Sequence, residues 1–171
     1  MIRKPNIDEV PAFYQGYVIP LPETGIVEYL EKQTITFGHW LGGLTVDQQK
    51  LTYAEGKWTV AEVVGHIIDA ERVFAFRIMS IARGEQGALP GFDQNDYVDQ
   101  GRFSHRDFSS LVDEFEFSRK ANLTMLRSLD DQAITNVGNA NGTQMSLSSI
   151  VYIMAGHLNH HMNIFKEKYK L

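Results

Sequence analysis

Thr59-Val60-Ala61-Glu62-Val63-Val64-Gly65-His66 reads as the opening of a helix. Thr59 and Glu62 stand at capping-box spacing, where the hydroxyl and the carboxylate satisfy free amide groups of the first turn. Val63, Val64, Ile67, Phe74, Ile78 and Ile81 then repeat at helical spacing, and Gly84 after Arg83 ends the run. At about 100° per residue, His66 falls beside Val63, Ala70 and Val73 at the flank of the apolar stripe, with Asp69 and Arg77 near it. A histidine so placed is most often a satisfied, partly buried residue. It becomes a candidate ligand only if other ligands face it.

Such ligands stand near the C-terminus, in Gly156-His157-Leu158-Asn159-His160-His161, which holds three of the six histidines. Residues four apart stack on one helix face, so His157 and His161 point together and His160 points elsewhere. Two imidazoles make an incomplete claw, because catalytic sites for zinc, nickel or copper usually have at least three protein ligands and an open position. The metalloprotease motif is absent, since Leu158 stands where its glutamate would be. The chain has no cysteine, so any metal site must use nitrogen and oxygen. His66 is the candidate third ligand, being on the core-flanking side of a second long helix, where one shared ion would satisfy all three rings. His160, His105 and His39 read as surface, loop and helix-side residues, with His39 able to approach a bundle interior.

Two further helices complete the pattern. The first runs from Thr24 to about Leu41, with Ile26, Val27, Leu30, Ile35, Phe37 and Leu41 as its apolar positions and Gly42-Gly43 as its stop. The third carries Phe108, Leu111, Val112, Phe115, Leu123, Leu126 and Leu129 and follows a weaker cap at Ser104 and Asp107. Asn136 to Thr143 reads as a loop or small turn. The last helix runs from Ser146 or Ser148 to Tyr169, with Leu147, Ile150, Val151, Met154, Leu158 and Phe165 on one face. Between the second and third helices, Gly84 to Phe103 is a connection of about twenty residues, long enough for a crossover that leaves those helices parallel. Four of the five prolines fall before Thr24, which excludes a long helix there. Residues 1–23 are expected to form an arm laid over one domain of residues 1–171, pinned by Phe13, Tyr14 and Tyr17.

Composition narrows the function. With 43% apolar residues the chain can build one core, and a net charge of -5 offers no basic field for nucleic acid or acidic membranes. No window approaches the roughly 18 apolar residues of a membrane span, and the N-terminus lacks an apolar leader segment. A cytoplasmic protein is expected.

The run from Gly56-Lys57-Trp58-Thr59 through His66 to Glu71-Arg72 and Arg77 resembles the second-helix signature of the DinB-like superfamily. Leu89-Pro90-Gly91-Phe92-Asp93 and Gly156 to His161 resemble that family too, in matching order over residues 24–169. The resemblance implies an all-α, four-helix bundle of up-down-down-up connectivity, in agreement with the long crossover. It also implies a divalent metal, zinc or nickel, held by His66, His157 and His161, and a homodimer. His160 matches a frequent residue of the family that is not a ligand. Members include metal-dependent hydrolases and thiol transferases that use low-molecular-weight thiols. The family's name derives from induction by DNA damage, but nothing in this acidic chain supports action on DNA.

Three neutral imidazoles leave the ion's charge uncompensated, which favours hydroxide or thiolate at an open position. The expected function is therefore a metal-dependent enzyme that activates water or a thiol towards a small-molecule substrate. Asp69, Glu71, Arg72, Arg77, Asp93, Asp96 and Tyr97 are candidate contacts for ligands or substrate. Each also has a plainer reading: Glu71 and Arg72 as a solvated face, Arg77 as a partner of Glu71 or Asp69. No general base is legible. The rival readings are a bundle whose metal is structural or sensory, and an interaction bundle with no metal, linked to a stress response.

Overall fold

The computed structural model describes residues 1–171. Thr59 starts its helix by the expected device: its hydroxyl accepts from the Glu62 amide at 3.2 Å, and Glu62 Oε2 accepts from the Thr59 amide at 2.7 Å. In chain order the helices are α1 (Ala12–Val18), α2 (Ile26–Gly42), α3 (Val46–Gln49), α4 (Val60–Ala82), α5 (Gln94–Gly101), α6 (Phe108–Arg127), α7 (Asp131–Ile134) and α8 (Leu147–Ile164). A widened π turn, Phe165–Tyr169, extends α8. The long helices α2, α4, α6 and α8 form a four-helix bundle of up-down-down-up connectivity, with α4 packed on both α6 and α8. None of the helices is long and apolar enough to cross a membrane.

Two apolar clusters fill the bundle. One gathers Leu30, Phe74, Ile78, Leu123, Leu126 and the first half of α8; the other gathers Phe37, Leu41, Val64, Ile68, Phe115, Leu158 and Phe165. Between them lies a polar layer built around Arg119, which is fully buried, and Glu71, 2% exposed. Arg119 Nε and Nη2 donate to the two Glu71 oxygens at 2.7 and 2.8 Å, the forked geometry that gives this pair its strength. Asn122 donates to the same carboxylate at 2.9 Å, and Arg119 Nη1 donates to Gln33 Oε1 at 3.3 Å. Gln33 in turn donates to Asn159 Oδ1 at 2.7 Å, so one network fixes α2, α4, α6 and α8 in mutual register. Glu71 is thus no part of a solvated face. Its wheel position lies within the buried stripe, and a partner from α6 neutralises it.

Other expectations are corrected in detail. Ile35, assigned to the apolar face of α2, is 68% exposed, because that face turns towards Gln33, Thr34 and Phe37 instead. Asn136 to Thr143, expected as a loop or small turn, holds the first strand and the turn of a hairpin: β1 (Val137–Ala140) pairs antiparallel with β2 (Thr143–Ser146). Its turn is Asn141-Gly142, with φ of 53° and 76°, the two positive values that a tight two-residue hairpin needs. The crossover folds onto this hairpin, since the Leu89 amide donates to Asn139 O at 2.8 Å and the Asn141 amide to Leu89 O at 2.9 Å. It also contains α5, started by Asp93, whose carboxylate accepts from the Asn95 and Asp96 amides.

Within the N-terminal residues, α1 packs on α8. Tyr14 and Tyr17 are half-buried, whereas Phe13 is 76% exposed and packs edge-on against Tyr14 of its own helix. The close approach of α1 to α8 depends on Gly156, where a β carbon would run into the Tyr17 carbonyl.

Candidate metal centre

Helical phase sends His66, Ala70, Phe74 and Arg77 of α4 to one face, at spacings of four, four and three, and all four line one cavity of about 530 Å³. Opposite them, His157 and His161 project from successive turns of α8. The three rings meet: His66 Nε2 and His161 Nε2 each lie 3.1 Å from His157 Nε2. One nitrogen from each ring falls within 4.8 Å of the others, and all three residues are buried.

Hydrogen bonding within the trio cannot satisfy it. A neutral imidazole nitrogen carries either one hydrogen or one lone pair, so His157 Nε2 bonds one neighbour and leaves the other unmet. His161 Nδ1 is buried with no partner, so this ring gains nothing on its other side. Burial holds His66 down to about pKa 4, with His160 adding to the effect. Burial likewise lowers His157 and His161 well below the usual histidine value, with the neighbouring rings contributing, and for His157 also Arg119. Three neutral, converging nitrogens are a donor set that fits a divalent ion such as zinc.

Aromatic rings fix this geometry. Trp58 lies 5.1 Å from His66 between centroids and is tied down where Tyr169 Oη donates to its carbonyl at 2.6 Å. Phe74 lies 5.6 Å from His157. His160 is not the plain surface residue expected: it is half-buried and packs on Tyr17 at 4.9 Å, because the α1 strap covers it. It lines the cavity without joining the trio. His39 and His105 are exposed and line neither the cavity nor the trio.

Of the remaining candidates, Arg77 alone lines the cavity. Asp69 pairs with Arg72 at 3.7 Å, and Arg72 and Arg106 together hold Glu114. Burial raises the Asp69 pKa, with Arg72 opposing the rise. Asp93 caps α5, Asp96 is exposed, and Tyr97 packs on Phe92 outside the cavity. Trp58, Tyr17 and Phe74 received no role beside the histidines from the sequence, where Tyr17 is expected only to pin the arm and Phe74 only to join the apolar stripe. Phe74 and Trp58 were legible in principle, one at two helical turns from His66 and the other just before the cap, but Tyr17 reaches the site only through the strap.

The sequence model of the DinB superfamily matches residues 29–165. None of the curated proteins matches the chain by sequence. Among solved structures, the chain is similar to YfiT from Bacillus subtilis, described as a probable metal-dependent hydrolase with an unusual four-helix bundle topology. The TM-score is 0.77 at 20% identity, over 85% of this chain and 84% of that one. It is also similar to a mycothiol-dependent maleylpyruvate isomerase, with a TM-score of 0.68 at 16% identity over 84% of this chain. The match spans 60% of the isomerase's length.

Proposed function

The chain belongs to the DinB superfamily, and from that premise we propose that it is a metal-dependent enzyme whose ion is held by His66, His157 and His161. The observation that carries this is the convergence of three neutral Nε2 atoms that no hydrogen-bond pattern satisfies. A divalent ion so held supplies a Lewis acid that makes a water or a thiol acidic near neutral pH. His66, on α4, and the α8 pair hold the site from two helices packed against each other, and Trp58 and Phe74 restrict the rings and exclude water on their sides. The cavity opening onto the trio provides room for a small molecule, which favours a catalytic over a purely structural ion.

No aspartate or glutamate lines that cavity, so no carboxylate stands ready as a general base. A thiol, at an ordinary pKa of about 8.5, needs far less help to ionise than water at about 15.7. That contrast favours transfer of a low-molecular-weight thiol over hydrolysis, and the mycothiol dependence of one structural neighbour points the same way. The test uses protein purified without an affinity tag, assayed for hydrolysis and for thiol transfer with and without chelator. Chelator-sensitive thiol transfer that His157→Ala abolishes supports the reading. Turnover unchanged by chelator and by His157→Ala would sink it.

A further inference from the structure

Arg77 is 5% exposed, and the chain gives its charge no counterion. Nη2 donates to Pro90 O at 2.9 Å, while Nε is buried with no partner. The acids that its sequence position offered are taken: Asp69 faces Arg72, and Glu71 is held by Arg119. A guanidinium stays charged in proteins, so an unpaired one at this depth is costly unless an anion arrives. The cavity is where one can arrive, for Arg77 lines it and no carboxylate does, in a chain with 21 acidic residues.

The cavity therefore has a direction. Along α4 the α carbons of His66 and Arg77 stand eleven residues apart, about 16 Å at the helical rise, on one face. Between them along α4 stand Ala70 and Phe74, and the aromatic rings of Phe92 and Tyr14 also line the cavity, beside the polar side chains of Lys57, Gln94, Asn95 and Asn141. We infer that the cavity takes an elongated small-molecule carboxylate, its anionic end held by Arg77 and its other end reaching the three histidines. A planar carboxylate matches the guanidinium fork, and the aromatic stretch suits a hydrocarbon body between the two ends. What happens at the histidine end rests on the proposed function; the contact with Arg77 does not.

The test is calorimetric binding of 4-phenylbutyrate and of its neutral amide to the full chain, both chelator-treated and zinc-loaded, with metal content measured on the same samples. The wild type should bind the acid at least about tenfold more tightly than the amide in both metal states, the scale of a charge-assisted hydrogen bond. Arg77→Met should erase that preference by weakening the acid far more than the amide, and Arg77→Lys should keep part of it. Equal binding of acid and amide by the wild type, or no acid binding at millimolar concentration, overturns the inference without recourse to any variant. So does a preference that survives Arg77→Met, which would leave Arg77 as a mere tie to Pro90, or one seen only with zinc, which would place the anion on the metal. Failure to take up metal would defeat the proposed function alone, since the Arg77-dependent preference is read in chelated protein.

Discussion

His157 sits where two neighbouring rings compete for a single nitrogen, and its surroundings keep it neutral. The sign of the resulting pH dependence follows from linkage. In the unfolded chain each of the three histidines takes up a proton near pH 6.5, while in the fold His66 resists down to about pKa 4 and the other two are lowered well below 6.5. The unfolded state thus binds more protons below pH 6.5, and stability falls as pH falls. Metal-free protein should lose melting temperature steadily between pH 7 and pH 5, and histidine-to-leucine replacement of the trio should flatten that slope; an unchanged slope would show that the trio does not titrate this way. The same scale holds the Glu71–Arg119 pair, which sequence reading missed because a charge on a helix wheel is taken as solvated. The signal was present: Arg119 stands four residues from both Phe115 and Leu123, inside an apolar stripe. Arg119→Leu leaves a buried carboxylate without its countercharge and should cost about 3–5 kcal/mol in denaturant unfolding, whereas Arg119→Leu with Glu71→Leu should cost less than the single change. A double variant that is less stable than the single one would contradict this reading of the polar layer.

At the scale of elements, the helices were legible where a local device marked them. The Thr59 capping box and the apolar repeats of α4, α6 and α8 fall where sequence placed them, because cap chemistry and core-facing periodicity both lie within the segment itself. Thr59→Ala should cost about 1 kcal/mol, seen as a drop of about 2–4 °C in melting temperature. No measurable change would mean that tertiary packing alone starts α4. The hairpin was legible only in its Asn141-Gly142 turn, its strands being too short to stand out amid a helical pattern, while α5, short and mostly polar, offered only the Asp93 cap. The α1 strap depends on a contact remote in sequence, between Gly156 and the Tyr17 carbonyl. Gly156→Ala should lift α1 from α8 and speed proteolysis within residues 1–23, leaving the rest of the chain protected. Proteolysis at the wild-type rate would show that the strap does not need that approach.

For the whole molecule, the length of the connection between α4 and α6 indicated parallel neighbours, and the bundle has that connectivity. Helical phase carried the three histidines to one point from two helices. The cavity was not legible, because the strap, the segment before α4, the crossover, the hairpin turn and α8 each supply part of its wall, and only the folded chain brings them together. The central claim is that this assembly holds a divalent ion on His66, His157 and His161. Ligand linkage gives it a thermodynamic signature, since free zinc at a hundred times its dissociation constant stabilises by about 2.7 kcal/mol, or about 5–10 °C for a chain of this size. The most direct measurement is metal content of tag-free protein, followed by zinc titration of the chelated form with melting as the readout. The wild type should hold or take up a single equivalent and gain that stability, and His157→Ala should do neither. Wild-type protein that contains no metal, takes up neither zinc nor nickel and melts at the same temperature with or without them would contradict the account.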